Sequence, residues 1–179
     1  MLFAHDTEVA LAAAAALINT ATEPDGLGTV TLLDAFVGQW GWTGSRTHDQ
    51  QELDQVHRLR ARLREIWAAQ EPTAVEAVNA LLRDARALPQ LVRHDEWDWH
   101  LHATTPDQPL ATRMAVEAAM ALVDVIRSDE TARLKQCSAP DCDDVVADLS
   151  RNRSKRYCEG GCGNRLAAAA YRARQAADT

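Results

Sequence analysis

The first 136 of the 179 residues contain no cysteine, and all four cysteines fall in the remaining stretch. That clustering is hard to reconcile with a disulfide framework stapling the whole molecule. Met1 to Glu8 contains no Lys or Arg, so the alanine run Ala12 to Ala16 lacks the positive flank of an export signal, and a cytoplasmic protein is expected. Long apolar runs are missing too: charge or a turn residue interrupts every candidate before the roughly 20 residues that a bilayer crossing needs. The sequence has no phosphate-cradling glycine loop, nucleophile elbow or His-Glu-x-x-His helix. No catalytic residue is assigned, and catalysis is not expected.

Basic charge is scarce except at one end. The formal net charge is −7, but residues 1–130 carry −10 and residues 131–179 carry +3. Only the second segment can favour phosphate. The length suits one full core with a small appendage, and the boundary falls after Ser128-Asp-Glu130. The expected domains are therefore 1–130 and 131–179.

Periodicity organises the first domain. Asp6 can cap a helix reaching about Asn19, with Val9, Ala13, Ala16 and Leu17 on one side. Glu23-Pro-Asp-Gly-Leu-Gly28 reads as a loop, and Thr29 opens a short helix over Leu32 to Trp40 that ends at Gly41. Asp49 and Glu52 have the spacing of a capping box ahead of Leu53, Val56, Leu59, Leu63, Ile66 and Trp67. Pro72 suits the first turn of a further helix, with Val75, Val78, Leu81 and Leu82, that stops before Pro89. The period then changes to two, since Trp97, Trp99 and Leu101 alternate with Asp98, His100 and His102. This predicts a strand, paired with Leu88 to Arg93 as a hairpin. Leu110 to Arg127 is apolar around most of its circumference and belongs at the centre of the core. The fold class is mainly α with a small β-hairpin, an α+β arrangement.

Cys137, Cys142, Cys158 and Cys162 form a C-x4-C pair, fifteen intervening residues and a C-x3-C pair. Each close pair lets two thiolates reach one tetrahedral ion, so one structural zinc with four cysteine ligands is expected. Two disulfides or four free buried thiols are the alternatives, and disulfides would demand an oxidising compartment. A segment of under about 50 residues buries too little surface to fold unaided, so the metal would supply most of its folding free energy. Between the pairs, Asp144 to Leu149 and Lys155 to Cys158 can form a hairpin around Ser150 to Ser154, and Leu166 to Ala176 is an alanine-rich helix. Knuckle, hairpin and helix in that order make a treble-clef finger, with Cys162 at the helix N-terminus.

The residues also carry a resemblance. Cys162-Gly-Asn-Arg165 spells the signature of the CGNR zinc fingers, and Asp148-Leu-Ser-Arg-Asn-Arg-Ser154 with Lys155-Arg-Tyr-Cys158 is similar to the family's run before its third cysteine. Leu17-Ile-Asn-Thr20 with Leu32 to Trp40 resembles the start of the ABATE domain that precedes such fingers. The resemblance implies a transcription regulator whose finger contacts DNA and whose ABATE domain senses a ligand. Two departures stand out. The second cysteine pair is spaced by three residues where relatives commonly have four, and Leu166-Ala-Ala-Ala-Ala-Tyr-Arg172 lacks the lysine that relatives commonly place after the signature.

Seven basic side chains between residues 149 and 176 stand against Glu159 alone. Arg151, Arg153, Lys155, Arg156, Arg172 and Arg174 are the candidate phosphate contacts, while Arg165 and Asn164 are assigned to bracing the knuckle. The competing account is local neutralisation, because four thiolates around one zinc leave about −2. His100 and His102 share a strand face, read as solvated in preference to a second metal site. Five tryptophans favour core filling; if a small-molecule pocket exists, Asn19, Trp40, Trp99 and His102 are its candidate residues. The leading expectation is a regulator of DNA, helped by homodimer formation since one finger makes few contacts. The alternative is a protein-interaction adaptor whose finger is purely structural, and an enzyme using the histidine strand ranks last.

Overall fold

The computed structural model describes residues 3–22, 24–93 and 99–177. The first five helices build a body: α1 (His5–Asn19), α2 (Val30–Trp40), α3 (Gln50–Ala68), α4 (Glu71–Asp84) and α5 (Leu110–Arg127). Between α4 and α5 lies a hairpin of β1 (Gln90–Val92) and β2 (His100–His102), with Leu91 opposite Leu101. A single 3-10 turn, Thr131–Arg133, leads into β3 (Leu134–Gln136), β4 (Val145–Ala147) and α6 (Cys162–Ala177). No helix among the described residues is long and apolar enough to cross a membrane.

Local chemistry sets most helix ends. Thr29 accepts a hydrogen bond from the Leu32 amide, and Gly41 closes α2 in the left-handed region at φ 68°. Asp49 accepts from the Glu52 amide, as the capping-box spacing predicts. Glu52 does not complete the reciprocal half of that box. Its carboxylate, only 4% exposed, instead receives Arg46 Nε at 2.9 Å and the amides of Thr47 and His48. Burial demands that many donors. Helix α1 starts one residue before Asp6, with Ala4 in the capping position and Asp6 in the first turn.

Helix α5 occupies the centre, packed against α1, α3 and α4. Leu110, Met114, Val116, Ala119, Leu122 and Val125 are essentially shut off from solvent. Each such leucine contributes about 1.5–3 kcal/mol by leaving water. The alanines of α1 and α5 have no long side chains, which lets those helices approach closely.

The finger's strands pair differently from the sequence expectation. Strand β4 pairs antiparallel with β3, Gln136 opposite Val145 and Leu134 opposite Ala147, rather than with Lys155 to Cys158. The Cys137–Cys142 turn joins β3 directly to β4. Past β4, the Asp148 carboxylate takes over: Oδ1 accepts from the Ser150 amide and Oδ2 from the Lys155 amide. A side chain therefore anchors the returning segment where a strand ladder was expected. The predicted strand residues Trp97 and Asp98 lie outside the described residues.

Strand alternation divides β4 between two cores. Val145 and Ala147 pack into the main core of the body, while Val146 packs into the small cluster around the cysteines. The finger is thus built into the flank of the body.

Candidate metal centre

Cys137 directly follows β3, Cys142 lies in the turn before β4, and Cys162 begins α6. Their sulfurs and that of Cys158 all lie within 4.8 Å of one another. Cys142 Sγ is 3.8 Å from Cys158 Sγ, which is 3.6 Å from Cys162 Sγ. A tetrahedron with Zn–S bonds of about 2.3 Å has edges of about 3.8 Å, whereas a disulfide is about 2.05 Å long. The four thiols are free and their spacing is that of a site for one zinc ion.

The surroundings suit thiolates. The backbone amides of Ala139, Asp144 and Gly160 are directed at Cys137, Cys142 and Cys158 respectively. The Cys158 amide donates to Cys137 Sγ at 3.4 Å. Burial pushes the Cys142 thiol up to about 11 and the Cys158 thiol higher still. A divalent cation reverses that preference, so zinc binding expels protons and tightens with rising pH.

The signature motif has a geometric explanation. A Cβ at Gly163 would come within 3.0 Å of the Tyr157 ring. Arg165 grips Asp141 of the first knuckle through both Nη atoms at 2.7 Å and also donates to Cys162 Sγ at 3.6 Å. It ties the start of α6 to the first cysteine pair through Asp141, the neighbour of Cys142. Asn164 is exposed on the first turn of α6.

The candidate phosphate contacts divide into two groups. Arg153 pairs with Glu130 at 2.9 Å and Lys155 with Glu159 at 2.5 Å. Arg156 lies over the Tyr157 ring at 5.8 Å. Arg151, Arg172 and Arg174 are exposed and form no ion pair among the described residues.

The four residues named as a candidate small-molecule site are engaged separately. Asn19 donates its amide to the Val145 carbonyl at 2.9 Å and accepts from the Val145 amide at 2.7 Å. A side chain at the end of α1 thereby pairs with the free edge of β4. Arg64 extends the same clasp by donating to the carbonyls of Ile18 and Asp143, and Trp67 donates to the Lys135 carbonyl. Trp40 packs near Phe36, with ring centroids 6.2 Å apart. His102 Nε2 lies 3.1 Å from His100 Nε2, and Trp99 is 64% exposed beside them. Asn19→Ala should cost about 2–4 kcal/mol in urea unfolding, since it strips two buried backbone groups of their partners.

A helical body clasped to a four-cysteine finger defines a zinc-finger protein with a large accessory domain. The CGNR zinc finger model matches residues 133–175. The ABATE model, described as "Putative stress-induced transcription regulator", matches residues 11–129, well over half of the chain. The chain belongs to the ABATE family and carries a CGNR zinc finger. No curated protein matches it.

Proposed function

We propose that this protein regulates transcription, with residues 131–179 meeting DNA through the exposed faces of the finger and residues 1–130 sensing a small molecule. The observation that carries the reading is α6. Beyond Leu166 every described residue of that helix is exposed, and its Arg172 and Arg174 are free to meet phosphate. Arg151 offers a third such cation from the loop after β4. A homodimer would double these contacts.

Fluorescence anisotropy of a random-sequence duplex, titrated with zinc-loaded protein at two salt concentrations, tests the proposal. Affinity should fall steeply with salt, and the Arg172→Ala, Arg174→Ala double variant should bind more weakly, with a log–log salt slope shallower by about 2. Absence of binding at low salt would favour the adaptor reading, which rests on the pairing of Arg153, Lys155 and Arg165 with Glu130, Glu159 and Asp141.

A further inference from the structure

Arg113 sits in the first turn of α5 and is 4% exposed. Its Nη1 donates to the carbonyls of Pro106 and Gln108, which fixes the plane of the guanidinium. Nε and Nη2 are buried and have no hydrogen-bond partner among the described residues. These two N–H groups form the side-on edge of the guanidinium, the edge that receives both oxygens of a carboxylate. A buried cation with its binding fork open costs stability unless something fills it.

The surroundings narrow what that is. Glu117, one turn further along α5, does not close on Arg113; Trp42 Nε1 donates to its carboxylate at 2.5 Å. Trp40 Nε1, two residues before Trp42, is the other buried side-chain donor without a partner among the described residues. Above the guanidinium lies Gly44 at φ 99°, where a Cβ would stand 3.2 Å from Arg113 Cζ and Nε. The backbone of the 41–48 segment thus roofs the guanidinium, held to the opposite loop by the Ser45 amide on the Pro106 carbonyl at 2.8 Å. A flat group fits beside such a roof better than a tetrahedral one. The neighbouring Glu117 carboxylate also repels a dianion more than a monoanion.

We infer that Arg113 is the anchor of a ligand site in the body, gripping the carboxylate of a small organic acid between the 41–48 segment and the start of α5. The inference rests on reading the body as a sensor and names the chemistry it senses. The 41–48 segment and the start of α5 hold the site, with Trp42, bonded to Glu117, beside it as a fluorescent reporter. Entry requires the 41–48 segment to lift from Pro106.

The test uses the zinc-loaded full chain and three probes, sodium benzoate, sodium acetate and sodium phosphate, against sodium chloride at matched ionic strength. A saturating carboxylate should raise the melting temperature by about 5 °C and change tryptophan fluorescence saturably. Arg113→Met, which removes the unpaired charge, should melt within about 2 °C of wild type or above it without added anion, and should show no carboxylate response. Arg113→Lys, which retains charge but not the fork, should respond only weakly. If neither carboxylate shifts wild-type melting or fluorescence, if phosphate alone does, or if Arg113→Met keeps the response, the assignment is wrong. Because none of these readouts involves DNA, failure of the site and failure of DNA binding are separately visible: a carboxylate response without DNA binding leaves the site standing.

Discussion

Removing zinc with a chelator should lower the thermal midpoint of the entire chain by more than about 10 °C, and unfolding should remain one transition by both far-ultraviolet circular dichroism and tryptophan fluorescence. A finger tethered by a linker would behave otherwise, melting alone and leaving the body untouched. Here β4 contributes Val145 and Ala147 to the main core, while α1 and α3 reach across through Asn19, Arg64 and Trp67. Structural zinc supplies on the order of 10 kcal/mol to domains of this kind. Loss of the metal frees the Cys137–Cys142 turn that holds β3 to β4, and the body then loses its flank. Two separated transitions would show that the body does not depend on the finger.

Asp148→Asn should be strongly destabilising, costing about 2–4 kcal/mol. The side chain is completely buried, yet four donors converge on it: Lys135 Nζ at 2.5 Å, the amides of Ser150 and Lys155, and the Ser150 hydroxyl. Asparagine keeps the shape but turns an NH2 toward donors and leaves Lys135 without its counter-charge. Burial pushes this carboxyl up, but the Lys135 and Ser150 hydrogen bonds outweigh it and hold the group at about 2, below its ordinary 3.8. A depressed carboxylate stabilises the fold above its unfolded value, and that contribution fades as the pH falls from about 4 toward 2. The penalty measured by urea unfolding should therefore be flat from pH 7 to pH 4. A penalty already shrinking at pH 6 would mean that Asp148 is not the charged hub described.

Reading the sequence located the helices well because their signals are local. Thr29, Asp49 and Gly41 act within a turn of where they stand, and the all-round apolar pattern of α5 reports its central place directly. The cysteine spacing was equally legible, since each pair is a short-range feature. What escaped was contact at long range. Nothing near Asn19 announces a partner 126 residues away, and nothing near Arg113 distinguishes a buried arginine from a solvated one. The β4 pairing was misjudged for a related reason: Lys155 to Cys158 lies at hairpin distance from β4, but the cysteine turn had already brought β3 alongside. His100 and His102 do share a strand face, where their ring nitrogens meet, but it is the half-buried face and not the solvated one expected. Trp99 and Leu101, which alternate with them, are the exposed residues.

The charge asymmetry of the chain also takes a concrete form. Arg133 is 3% exposed and donates to Glu130 at 2.6 Å and to the carbonyls of Asp148 and Ser150. Glu130 in turn holds Arg153, so the junction between acidic body and basic finger is itself an ion-paired seam. Two of the finger's nine basic side chains are engaged there by one acid of the body.

Helix α6 leaves the cysteine knuckle as a bare rod of 16 residues, about 24 Å long at 1.5 Å per residue. It is held at its base, where Cys162, Arg165 and Leu166 meet the knuckle. Such a rod is a pointer: a tilt of about 5° at the hub sweeps its tip through about 2 Å, enough to break or make a hydrogen bond. Since the hub is riveted to α1 through β4 and to α3 through β3, any slight reseating of those two helices is magnified at Arg172 and Arg174.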